Sequence, residues 1–173
     1  MNTLQKIFLA VIIPIGILVP LSYVLGIGNN ADLLWGGVSK NVRPVYVASM
    51  LVSATFFFIF TTYIFFKLLN PDTVLPFGLG NNIFAILYGI LLASSALWTP
   101  LVNSMVKNPT DLTWLGVRAV LILTALCAIA LLVIFLKLSD NSTYYKLSLL
   151  GLLLFIIHTG ILDALVWPYL WKK

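Results

Sequence analysis

The sequence predicts an all-α integral membrane protein, a single bundle of five transmembrane helices over residues 1–173. Three observations predict it. Hydrophobic residues make up 61% of the chain and charged residues 9%, where soluble domains sit near about 45–50% and about 25%. The apolar residues gather in five runs, each close to the roughly 20 residues that cross a hydrocarbon core. Gly, Pro, Asn and Asp concentrate in the joins between the runs.

The first run, Lys6–Ile27, has the basic start of a signal peptide. Its apolar stretch is too long, it carries Pro14 and Pro20, and it lacks a small-x-small cleavage pattern. It is therefore expected to be a retained helix. The connection "GNNADLLWGGVSKNVRP" follows, with a Gly36-Gly37 pair that permits unusual backbone geometry. Such an aromatic loop can serve as plain connection or as cover for a pocket mouth. The second run, Val45–Leu69, contains "SATFFFIFTTYIFF" and reads as core and lipid contact. Its Ser53, Thr55 and Thr61 are expected to back-bond to their own helix.

After "NPDTVLPFGLGN" comes Asn82–Val106, whose "ALWTPLVNS" sets Pro100 inside a helix and removes a backbone hydrogen bond near Trp98. "KNPTD" leads into Thr113–Leu138, and "SDNSTYY" into Leu147–Leu170. No run shows strand-length alternation, and lipid excludes unpaired backbone, so all five are helices. Internal repeats are not apparent.

Composition narrows the chemistry. There is no Glu, and the chain has five Asp, one cysteine (Cys127) and one histidine (His158). These numbers disfavour paired-carboxylate catalysis, exclude an intrachain disulfide and Cys-based zinc, and leave no bis-histidine haem ligation. No metal site, catalytic constellation or resident cofactor is expected, and the chain reads as a non-enzyme. The net charge of +5 lies in short loops and tails without forming a basic face, so the expected partner is the bilayer and not nucleic acid. Lys40, Arg43, Lys107, Arg118, Lys172 and Lys173 fall on one side and Lys6, Lys67, Lys137 and Lys146 on the other. That balance favours the N-terminus outside and the C-terminus inside.

All five tryptophans fall at the first-loop end: Trp35, Trp98, Trp114, Trp167 and Trp171. Trp114 and Trp171 suit an interfacial belt. Trp98 and Trp167 lie farther inward, where they can line a cavity. Polar residues share this half: Tyr46, Asn103, Arg118 and Asp163. Across the short loop between the last two runs, Arg118 comes level with position 166, about 4.5 Å in depth from Asp163 at about 1.5 Å per residue. An Arg118–Asp163 pair is expected, either as a clamp between helices or as the polar floor of a ligand cavity. Thr159 is placed to hydrogen-bond Asp163. His158 is expected on another face, because five residues of regular α-helix rotate by roughly 140°.

Two segments carry a family resemblance. "YGILLASSALWTPL", Tyr88 to Leu101, has the Tyr, Leu, Ala and late Trp-x-Pro of a third helix, and "ILDALVW", Ile161 to Trp167, an aromatic after a polar residue in a fifth. With the five-helix plan, they resemble the translocator protein family, also called tryptophan-rich sensory proteins. The sequence departs from the family pattern in "NVRPVY", which has one proline and no tryptophan. It also departs around Leu91 and Ser95, where the family's third helix carries Gln and Asn, and at Asp163, where the family carries Asn. The resemblance implies a cavity near the first loop that takes porphyrins, sterols or similar flat hydrophobic molecules.

The expected function is thus binding or transport of a hydrophobic small molecule. Trp35, Trp98 and Trp167 would stack on it, and Tyr46, Asn103, Arg118 and Asp163 would supply polar contacts. Arg118 would suit a carboxylate-bearing porphyrin. The competing reading is an accessory subunit of a larger membrane complex, or a homodimer, with Arg118–Asp163 as a clamp. An intramembrane enzyme using His158 or Asp163 as base ranks last, having no second acid, nucleophile or metal triad.

Overall fold

The computed structural model describes residues 1–27 and 31–171. Lys172 and Lys173, counted above toward orientation, and Gly28-Asn29-Asn30 of the first connection lie outside the described residues. Five helices are long and apolar enough to cross a membrane: Thr3–Ile27, Arg43–Leu68, Ile83–Lys107, Asp111–Phe135 and Thr143–Leu170. Each corresponds to one run read from the sequence. Their ends differ by a few residues because capping, and not hydropathy, sets them. Thr110 accepts from the Thr113 backbone N–H while the Thr113 hydroxyl accepts from that of Thr110, so the fourth span starts at Asp111. The Ser142 hydroxyl accepts from Tyr145 N–H, which starts the fifth span at Thr143.

The helices form an incomplete ring. The first span packs on the third, the third on the fourth, the fourth on the fifth and the fifth on the second. The first and second spans are barely in contact. They are tied at the end away from the first loop, where Asn2 Nδ2 donates to Leu69 O at 2.7 Å and Gln5 Nε2 to Phe65 O at 3.0 Å. Toward the first loop the two spans leave a seam in the ring.

The interior divides by depth. In the half away from the first loop, Phe8, Phe60 and Tyr88 are fully buried, with Phe57 and Phe155 packed among them. The Tyr88 hydroxyl is satisfied by Thr61 Oγ1 at 2.8 Å. Thr55 and Thr61 back-bond to Leu51 and Phe57 as expected. Ser53 does not. It is buried against the fifth span and donates to Leu154 O at 3.3 Å, a bond between helices. Near it Gly151 lets the Phe56 ring approach, and a Cβ there would meet Phe56 Cδ1 at 2.9 Å.

The other half packs Tyr46, Val102, Val117, Leu121 and Trp167 as its core, with the remaining indoles around them. The first loop is docked on this core. Trp167 Nε1 donates to Leu34 O at 3.0 Å, and Val38 is 3% exposed. Gly36 has a positive φ of 56° beside the Trp171 ring, and a Cβ on Gly37 would lie 1.7 Å from Leu170 O. Two glycines are therefore required for the loop to sit on the end of the fifth span.

One departure from regular geometry bears on function. Residues Ile157–Val166 of the fifth span form a π-helical stretch between the α-helical Thr143–Ile156 and Trp167–Leu170. There the backbone bond spans five residues, as in Trp167 N–H to Leu162 O. Such widened turns are rare and concentrate where function needs a side chain re-aimed.

Candidate functional site

The π-helical stretch overturns the expected placement of His158. A widened turn brings residue i+5 back over residue i, where a regular turn would carry it to another face. His158 Nε2 therefore lies 3.5 Å from Asp163 Oδ2. His158 is 9% exposed, and its Nδ1 is buried without a hydrogen-bond partner. The Asp163 side chain keeps 30% of its surface accessible.

The expected Arg118–Asp163 pair is not made. Arg118 stands on the outward face of the fourth span, with exposed Leu115 and Ile122 one turn to either side. Val117, Val120, Leu121 and Thr124 form the inner face instead. Asp163 is paired with His158 instead, and Arg43 pairs with Asp32. Thr159 does not reach Asp163 either. Its hydroxyl back-bonds to Phe155 O at 2.8 Å.

The side chains that converge on Asp163 come from other spans. Tyr23 of the first span and Tyr46 of the second both lie within electrostatic reach of its carboxylate. These are the two spans that are barely in contact, so Asp163 lies near the seam between them. The Tyr46 hydroxyl donates to Leu162 O at 3.1 Å, using a carbonyl of the widened turn. Tyr23 packs on Trp98 with ring centroids 5.6 Å apart, and Trp98 on Trp167 at 5.8 Å. Trp167 in turn touches Trp114 at 6.3 Å and Trp171 at 4.7 Å. Trp98, Trp114, Trp167 and Trp171 form one continuous cluster toward the bundle end.

No family model, curated protein or solved structure matches the chain.

Of the residues singled out from the sequence, Tyr46, Trp98, Asp163 and Trp167 come together around the seam. Trp35 stands apart, edge-on to Tyr46 at 6.1 Å and 5.4 Å beneath the Arg43 guanidinium. Arg43 also donates to Val38 O and pairs with Asp32, so it staples the first loop to the start of the second span. The hydrogen bond from Arg43 holds the Asp32 carboxyl below the usual carboxylate range. Asn103 is occupied with packing: its Nδ2 donates to Gly26 O at 2.8 Å and joins the third span to the first. Its Oδ1, with Thr99 Oγ1 and Trp98 Nε1, is buried without a partner. All three flank Pro100, where the helix ladder is already interrupted.

A cleft of about 690 Å³ opens beside this cluster, between the first loop and the turn joining the third and fourth spans. Trp114, Trp171, Gly36, Met105 and Asp111 line part of it. Trp114 and Trp171 were expected as belt residues, and both border the cleft. Tyr23 and His158 are the site residues that sequence reasoning did not select. Each was visible as a polar side chain within an apolar run, which in a membrane chain is itself a signal.

Proposed function

We propose that this multi-pass membrane protein binds or carries a hydrophobic small molecule at its tryptophan-rich end. The observation that carries the reading is the set of buried polar atoms without partners: Trp98 Nε1, Thr99 Oγ1, Asn103 Oδ1 and His158 Nδ1. Native structures leave few such atoms bare, because each forfeits about 1–3 kcal/mol of solvation. Here they accompany a cluster of indoles, and apolar walls with a few convergent polar groups are the usual make-up of a ligand site. A cleft of about 690 Å³ beside the cluster falls in the range that small-molecule sites occupy. The resemblance to the translocator protein family points to the same end of the bundle and to flat ring systems, porphyrin- or sterol-like. Arg118, the group best suited to a porphyrin carboxylate, faces outward, which weighs against the porphyrin.

The test is quenching of tryptophan fluorescence in the purified protein by protoporphyrin and by a fluorescent sterol. Saturable quenching that weakens in Trp98→Phe is the expected result. Non-saturable quenching by both, unchanged in the variant, would remove the reading.

The alternative, an accessory subunit of a larger complex, draws support from Arg118. It stands on the outer surface about 10 Å into its helix, at about 1.5 Å per residue. An arginine there needs either a lipid headgroup reached by snorkelling or a partner's acceptor. Co-purification of a stoichiometric second chain that is lost in Arg118→Leu would favour that reading.

A further inference from the structure

The geometry points to a cation as the ligand's polar group: a flat hydrophobic molecule bearing a protonated amine, with the ammonium against Asp163 and its ring system among Tyr23, Trp98 and Trp167. The inference rests on the ligand-binding reading above and deepens it by fixing the sign of the ligand's charge.

Four observations carry it. Asp163 is a carboxylate inside a membrane span, and among the described residues no lysine or arginine pairs with it. A carboxyl group at that depth is costly to ionise unless a counter-charge stands beside it, and a ligand's ammonium can supply one. The side chain is also reachable, with 30% of its surface accessible. Tyr23 and Tyr46, from the first and second spans that border the seam, both lie within electrostatic reach of it, and these two spans are barely in contact. A molecule dissolved in the bilayer meets that seam laterally.

A chain of aromatic rings runs beside the residues that reach the carboxyl group. Tyr23 packs on Trp98 at 5.6 Å and Trp98 on Trp167 at 5.8 Å, and Trp167 lies one turn beyond Asp163 on the same helix. Indole and phenol faces attract cations through their quadrupoles, and a carboxylate within an aromatic wall is the arrangement that selects ammonium groups. The same wall stacks on flat hydrocarbon.

The fourth observation is His158. It is 9% exposed, its Nε2 contacts Asp163, and its Nδ1 has no partner. An imidazole in this place positions the Asp163 carboxyl group through its Nε2 contact. The widened turn from Ile157 to Val166 makes that contact and so holds Asp163 near the seam.

The experiment uses three probes with one ring system: 1-pyrenemethylamine, 1-pyrenemethanol and 1-pyrenecarboxylate. Pyrene accepts energy from tryptophan, so binding to the full chain in neutral nanodiscs is read as sensitised pyrene emission. The amine is expected to bind at least tenfold more tightly than the alcohol, and the carboxylate most weakly. Asp163→Asn should bring the amine down to the affinity of the alcohol and leave the alcohol unchanged. Equal affinities of the three probes for the wild type would overturn the charge assignment while leaving ligand binding standing. A preference that survives Asp163→Asn would overturn it too, since it would then come from the surface and not from the site. Absence of saturable binding by all three would remove both readings. Should Asp163→Asn fail to fold, Trp98→Phe serves instead, since phenyl holds a cation less well than indole. It must weaken the amine more than the alcohol, and an equal loss for both would overturn the proposal.

Discussion

His158 Nε2 contacts Asp163 Oδ2 at 3.5 Å, although five residues separate them in one helix. The contact exists because the turn between them is π-helical and not α-helical. Imidazole and carboxylate are therefore expected to be coupled thermodynamically. In a double-mutant cycle of His158→Asn and Asp163→Asn, thermal unfolding should give a coupling energy on the order of 1 kcal/mol, as residues in contact show. Additive effects would mean that the two side chains stand side by side without interacting.

Trp167 anchors the first loop through its indole N–H, which donates to Leu34 O at 3.0 Å in a buried setting. Trp167→Phe keeps most of the ring packing and removes the donor, leaving a buried carbonyl unpaired. The expected cost is about 1–3 kcal/mol. The loop should also become more open to protease between Asp32 and Lys40 than in the wild type. Cleavage at an unchanged rate would show that the loop is held by other contacts.

The glycines divide by what stands beside them. A Cβ on Gly37 would lie 1.7 Å from the Leu170 carbonyl oxygen, and one on Gly151 would lie 2.9 Å from the Phe56 ring. A Cβ on Gly116 finds its nearest atom at 3.5 Å, in the Leu101 side chain. Gly37→Ala is expected to undock the loop at the upper end of the roughly 1–3 kcal/mol range for overpacking, and Gly151→Ala to fall lower because a ring can shift. Gly116→Ala should be neutral or stabilise by up to about 1 kcal/mol, since alanine favours helix. Melting temperatures of the three variants give the order directly.

Much of this architecture is legible in the sequence, because a bilayer imposes length and hydropathy on every crossing. The five runs, the single-ended tryptophans and the polar content of that half all follow from it. Facing directions do not. In a soluble helix an exposed face is polar, but in a membrane the lipid face and the packed face are equally apolar. Leu115, Ile122 and Val117 thus gave no indication that Arg118 points outward with the first two. Depth arithmetic set Arg118 near Asp163, and rotation about the helix axis separated them. The widened turn was hidden for a related reason. Periodicity of 3.6 residues assumes regular backbone, and "IHTGILDALV" contains no proline to announce a break. Tyr23 entered the site through the seam, a feature of helix order that no single run encodes.

At the opposite membrane face, acidity should act through Asp140. Its carboxylate accepts from Ser142 N–H at 2.7 Å and from the Tyr63 hydroxyl at 2.7 Å. These bonds, the backbone one first, hold its carboxyl below the usual carboxylate range. A group with a depressed folded pKa stabilises the fold fully above its unfolded pKa and loses that contribution as pH falls through the folded value. The linkage between the fifth span and the second is therefore intact at neutral pH and weakens only at pH below about 4, near the unfolded carboxylate value. Partial exposure of Asp140 to water keeps the effect small. Thermal stability in detergent should fall slightly more steeply below that pH in the wild type than in Asp140→Asn, which has no proton to gain. Tyr63→Phe should halve the difference at most, because the Ser142 bond remains. Parallel stability curves for wild type and Asp140→Asn below pH 4 would show that the carboxylate contributes nothing to holding these two spans together.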